Sequence, residues 1–123
     1  MVYLAISVGA VLGANVRFLL GGWISDRLGS AFPYSTLVIN VTGSIIIGFL
    51  MILITEKVVA PDWVRPMLII GFLGSYTTFS TFSYETLALA REGSYLEAVG
   101  NVVASVGLSI AGVLLGAALA RAI

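Results

Sequence analysis

Apolar residues fall into four runs, at about residues 2 to 24, 35 to 55, 67 to 89 and 97 to 121, separated by the short polar stretches SDRLGSAFP, EKVVAPDW and REGSYLE. Each run is close to the ~20 residues that a helix needs to cross ~30 Å of hydrocarbon. The pattern predicts an all-α membrane protein of four transmembrane helices in a single domain, residues 1–123. A cleavable leader is the competing reading of the first run. No basic region precedes that run, its apolar stretch is too long for a leader, and Arg17 lies inside it, which favours a retained span.

The third run departs from the others. Residues 71 to 84 read GFLGSYTTFSTFSY, placing Ser75, Thr77, Thr78, Ser80, Thr81 and Ser83 at membrane depth among two tyrosines and three phenylalanines. Hydroxyls that bond nearby carbonyls, β-branched threonines, and the glycines at 71 and 74 all weaken a helix. Irregular backbone survives in a bilayer only where protein or water covers it. The stretch therefore predicts a break in the third span and a pathway along it. Phe79 and Phe82, three residues apart, share a helical face after the break, and Ser80 and Thr81 point elsewhere.

The other spans carry residues repeating every four positions. Gly9, Gly13, Arg17 and Gly21 line one face of the first span, Thr36, Asn40, Ser44 and Gly48 one face of the second, and Asn101, Ser105 and Ser109 one face of the fourth, followed by Gly112 and Gly116. Small residues at this spacing let helices approach closely, so packing is the simpler role for the glycines. Arg17 is costly inside a span unless it snorkels or meets carbonyls and water. It marks an aqueous vestibule or a structural anchor. The Asn40 amide serves either as an interhelical hydrogen-bonding group or as a donor aimed at an anion. Glu85, near the end of the third span, reads as a solvated vestibule carboxylate.

Composition narrows the chemistry. The chain is 59% hydrophobic and 10% charged, with zero net charge and neither cysteine nor histidine. Disulfides and imidazole or thiolate metal sites are excluded, and nothing supports a nucleic-acid partner. Four spans place both termini on one side of the membrane. Lys57, Arg65 and Arg121 then fall on that side, and Arg17, Arg27 and Arg91 on the other. Equal numbers leave the positive-inside rule undecided, which predicts dual topology, with copies inserted in both orientations. One four-helix chain is too thin to enclose an aqueous path, so a homo-oligomer is expected. The span interiors offer amides, hydroxyls and aromatic edges, whose hydrogens carry partial positive charge. Such a surface suits a small, hard anion.

The segments GAVLGANVRF, TLVINVTGSIIIGF and GFLGSYTTFSTFS resemble the Fluc (CrcB) family of bacterial fluoride channels, and with the fourth span the likeness covers essentially the whole chain. It implies a passive, non-enzymatic fluoride channel of the bacterial inner membrane, built as an antiparallel dual-topology homodimer with two pores. It places Phe79 and Phe82 as pore phenylalanines, Asn40 as the pore asparagine, Ser80 and Thr81 as the hydroxyl track, Thr36 one turn before Asn40, and Ser105 and Ser109 as fourth-span hydroxyls. It also implies a structural sodium ion held by the backbone carbonyls of Gly74 and Thr77. Some members have tyrosine where Asn101 stands, which leaves that residue's role open. Two other classes compete. A small proton-coupled drug exporter requires a glutamate in the first span, absent from residues 1 to 23. A non-transporting assembly subunit would leave the hydroxyl cluster unexplained.

Overall fold

A computed structural model describes residues 1–123. All regular structure is helical. It comprises α1 (Val2–Leu28), α2 (Tyr34–Ile52), α3 (Gly74–Tyr76), α4 (Phe79–Arg91) and α5 (Tyr95–Ala122), with a π-helical stretch Leu53–Lys57 continuing α2 and another, Pro66–Leu73, leading into α3. Three helices, Val2–Leu28, Tyr34–Lys57 and Tyr95–Ala122, are long and apolar enough to cross a membrane. The molecule is an all-α membrane protein.

Helix ends follow local chemistry. Nothing between Ser25 and Leu28 breaks a helix, so α1 runs past the expected end near residue 24. It stops at Gly29, whose φ of 79° is open to glycine at no steric penalty and whose N–H donates to the Ser25 carbonyl at 2.9 Å. Gly93, with φ 83°, ends α4 in the same way. At about 1.5 Å per residue, α1 and α5 reach roughly 40 Å, more than the hydrocarbon thickness, so they tilt or emerge from it.

Two glycine seams hold the helices together. α2 pairs most extensively with α5, and a Cβ at Gly48 or Gly116 would overlap the Val113 or Ile45 carbonyl. On the other side α1 lies on the Pro66–Leu73 segment, where a Cβ at Gly9 would strike the Met67 carbonyl and one at Gly71 the Ile6 carbonyl. Backbone therefore meets backbone, as small residues four apart permit. The centre is a cluster of Ile39, Leu73 and Tyr76, packed by Leu20, Ile47, Leu50, Ile69 and Phe72. Only 19 of 123 residues are buried, so most apolar side chains face outward along membrane-length helices, as where lipid is the solvent. At one end, Lys57 Nζ donates to the Arg121 carbonyl at 3.4 Å and Arg121 lies 3.8 Å from Glu56, bringing the end of the second helix beside that of α5.

Candidate functional site: an interrupted helix beside a phenylalanine-lined cleft

Between α3 and α4 the chain is extended, with Thr77 at φ −81°, ψ 158° and Thr78 at φ −151°, ψ 116°. Hydroxyls prepare the interruption. Ser75 Oγ lies 2.8 to 3.1 Å from the carbonyls of Gly71, Ala10 and Phe72, and Thr77 Oγ1 donates to the Leu73 carbonyl at 2.9 Å. Both bond to the backbone in competition with the helical ladder. Tyr76, buried just before the gap, has its hydroxyl 2.8 Å from Thr42 Oγ1.

Asn40 clamps the extended residues. Its Oδ1 accepts from the Thr78 N–H at 2.8 Å and its Nδ2 donates to the Thr78 carbonyl at 3.0 Å, so one primary amide replaces a turn of helix. Thr78 then caps α4, its Oγ1 accepting from the Thr81 N–H at 3.2 Å and donating to Thr81 Oγ1 at 2.9 Å, with Ser80 Oγ at 3.4 Å. Thr78 is buried and is the hub of the site. Sequence reasoning placed it in the hydroxyl run without a role. A threonine followed three residues later by another, just after a predicted break, is the capping signal that marks it.

These bonds bear on a cation site. In a continuous helix the Thr78 and Thr81 N–H groups would serve the Gly74 and Thr77 carbonyls four residues back. They donate to Asn40 Oδ1 and Thr78 Oγ1 instead, which frees both carbonyls from the ladder. No group of three or more acidic, histidine or cysteine side chains exists anywhere in the chain that would hold a metal. Two released carbonyl oxygens beside an exposed glycine suit a hard monovalent cation, so the residues present fit sodium.

Two clefts flank the gap. One, of about 410 Å³, is lined by Asn40, Gly74, Thr77, Thr78, Phe79, Phe82, Ser105 and Ser109 together with aliphatic residues, and by no ionisable side chain. The Phe79 and Phe82 rings lie 5.5 Å apart at 52°. Phe82 is buried, whereas Phe79 is 78% exposed and projects from the chain. The second cleft, of about 790 Å³, is bordered by Arg17, Thr36, Thr78, Thr81 and Glu85. Of the residues singled out from sequence, Asn40, Ser44, Gly74, Thr77, Phe79, Phe82, Ser105 and Ser109 share the first cleft, while Arg17, Gly21, Thr36, Thr81 and Glu85 share the second. Ser80 borders neither and is exposed next to Thr78.

Glu85 differs from its expected solvated state. It is half-buried, Thr36 Oγ1 donates to its Oε1 at 2.8 Å, and its Oε2 is buried without a partner. The cause is Thr36, a full helix away in sequence, which draws the carboxylate against α2.

Residues 4–117 match the family model described as CrcB-like protein, Camphor Resistance (CrcB). The "Fluoride-specific ion channel FluC" of Roseiflexus sp. (strain RS-1) is 48% identical over 118 residues, covering 96% of this chain and 95% of that protein. The protein of the same name from Rhizobium meliloti (strain 1021) is 47% identical over 119 residues, covering 97% and 95%. That from Solibacter usitatus (strain Ellin6076) is 46% identical over 121 residues, covering 98% and 99%. The family match over residues 4–117, with these relatives 46–48% identical over nearly their whole length, places the chain in the CrcB family.

Proposed function

We propose that the chain is a passive, fluoride-selective channel that lets fluoride leave the cytoplasm across a bacterial inner membrane. The observation that carries the reading is the interrupted helix, clamped by Asn40 and opening on a cleft with two phenylalanine rings and no ionisable group. The name shared by the full-length relatives supports the same ion.

Fluoride is small and holds water tightly, so a pore must replace its hydration with donors. Asn40 has two amide hydrogens, of which the Thr78 carbonyl takes one; the other is left for the ion. Ring edges of Phe79 and Phe82, whose rings pack against each other at 5.5 Å, add positive partial charge without a strong donor. Thr81, Ser105 and Ser109 extend the hydroxyl path along the clefts, Ser80 joins it only through Thr78 Oγ1 at 3.4 Å, and Thr36 stands one turn from Asn40. Thr78, which borders both clefts, stands at the passage between them. Arg17, half-buried on the wall of the larger cleft, is its one cationic side chain and shares that wall with the carboxylates of Asp26 and Glu85.

The working unit of this proposal is an antiparallel homodimer of dual topology with two pores, the interrupted segment completing the third of four spans. The equal division of basic residues between the two sides supports insertion in both orientations. Phe79, Gly74 and Ser80, all exposed on the single chain beside the gap, supply the surface where a second copy would be seated. The Gly74 and Thr77 carbonyls of the two copies would hold a structural sodium ion, which contributes charge neutralisation where two interruptions meet.

Purified protein in liposomes, loaded with potassium fluoride or chloride and read with ion-selective electrodes after valinomycin addition, tests the function. Rapid fluoride efflux with chloride retained is expected. Equal efflux of both ions, or none above empty liposomes, would refute it.

A further inference from the structure

Asn101 is the largest side chain in the molecule to be fully enclosed, at 1% exposure. An amide there, in an apolar span, needs partners. It has two, and they form a directed chain. Ser105 Oγ donates to Asn101 Oδ1 at 3.3 Å, Asn101 Nδ2 donates to Thr86 Oγ1 at 2.9 Å, and Thr86 Oγ1 donates to the Phe82 carbonyl at 2.8 Å. Both ends of this chain, Ser105 and Phe82, line the 410 Å³ cleft, while Asn101 and Thr86 do not. The Asn101 to Thr86 bond is also the one side-chain hydrogen bond that joins α5 to α4.

We propose that Asn101 is a positioning residue for anion selectivity. Accepting the Ser105 proton fixes the rotamer of that hydroxyl at the cleft wall. Donating to Thr86 ties α5 to the turn whose carbonyl belongs to Phe82, so the distance between the Ser105 oxygen and the Phe82 ring is set from behind, by a group that never meets the ion. A loose pair would admit a larger halide, because the cleft wall would yield by a rotamer change. This inference rests on the fluoride-channel reading above.

The test compares wild type, Asn101→Leu, Ser105→Ala and the double variant in the liposome efflux assay, with fluoride and chloride measured in parallel. Leucine keeps asparagine's branching in a larger, purely apolar side chain and removes both bonds. Asn101→Leu is expected to slow fluoride efflux about tenfold and to lower the fluoride-to-chloride ratio by a similar factor, the range for orphaned buried partners. Ser105→Ala shifts the ratio in the same direction, and the double variant is no worse than Asn101→Leu alone, because the two residues act through one chain. Thr86→Val, which keeps shape and cuts the chain on its far side, lowers the ratio as well. It carries the test if the leucine variant does not insert. An unchanged ratio in Asn101→Leu and Thr86→Val, or losses that multiply in the double variant, would overturn the inference while wild-type fluoride efflux leaves the functional reading standing. Wild-type liposomes that release no fluoride would sink both.

Discussion

Replacing Asn40 by leucine keeps the branching but puts a larger, purely apolar side chain at the one place where a single amide stands in for a turn of helix. Two bonds are lost, to the Thr78 N–H at 2.8 Å and to its carbonyl at 3.0 Å, and Thr78 is buried, so both backbone groups are left without partners. Leaving such a group unpaired costs about 1–3 kcal/mol, so the pair amounts to roughly 2–6 kcal/mol. A typical interhelical side-chain bond in a membrane is worth only ~0.6 kcal/mol, because the separated helices find other partners. That lower figure does not apply here, since the groups orphaned are backbone in an extended stretch that no alternative rotamer can serve. Even ~2 kcal/mol, spent on the geometry of the gap, corresponds to about a thirtyfold loss of rate. Fluoride efflux from liposomes and the thermal stability of the detergent-solubilised protein, measured on the same preparation, should therefore fall together. Asn40→Leu protein that empties fluoride at the wild-type rate and melts at the wild-type temperature would show that the clamp holds nothing, and the reading of the gap would fail with it.

The two phenylalanines should separate function from stability. Phe79→Ile abolishes fluoride efflux while leaving the packing of the single chain intact, because that ring is exposed there and any loss falls on the seat of the second copy; Phe82→Ile abolishes efflux and also destabilises the chain itself by about 1–3 kcal/mol, because its ring is buried. Full efflux by both variants would refute the role of the ring edges. Gly116→Val drives a side chain into the Ile45 carbonyl across the α2–α5 seam, and should yield protein that is polydisperse on size exclusion, whereas Gly100→Val, where nothing lies within reach, should behave as wild type. Replacing sodium by N-methylglucamine throughout purification should lower the melting temperature and the efflux rate, with recovery on adding sodium back; indifference to the cation would remove the carbonyl site from the proposal.

Three of the membrane-length helices are legible from apolar runs alone, because the chain has only to satisfy its backbone and show lipid an apolar surface. Their ends are legible less well. Nothing in the composition of residues 25 to 28 announces that α1 continues to Gly29, since polar residues at a membrane edge can end a span without ending a helix. The π-helical stretches at Leu53–Lys57 and Pro66–Leu73 carry no local signal; the second nests on α1 through Gly9, Gly13 and Gly71. In the candidate site, the gathering of Asn40, Phe79, Phe82, Ser105 and Ser109 around one cleft follows from the four-residue spacing of each stripe. The partners of those side chains do not. Asn40 meets a residue 38 positions away and Thr36 one 49 away. Which residue a buried amide or carboxylate finds at that distance depends on the crossing of two helices, which a stripe leaves open. Thr78, Thr86 and the buried face of Glu85 emerge only once the helices cross.

The opening at Gly74 bears on how the protein is made. On the homodimer proposed above, a newly inserted copy carries the released Gly74 and Thr77 carbonyls without a partner until a second copy arrives, a condition that fatty acyl chains have no means of relieving. Under that proposal solitary chains would be short-lived, and the amount of finished protein in a cell should rise more steeply than its rate of synthesis.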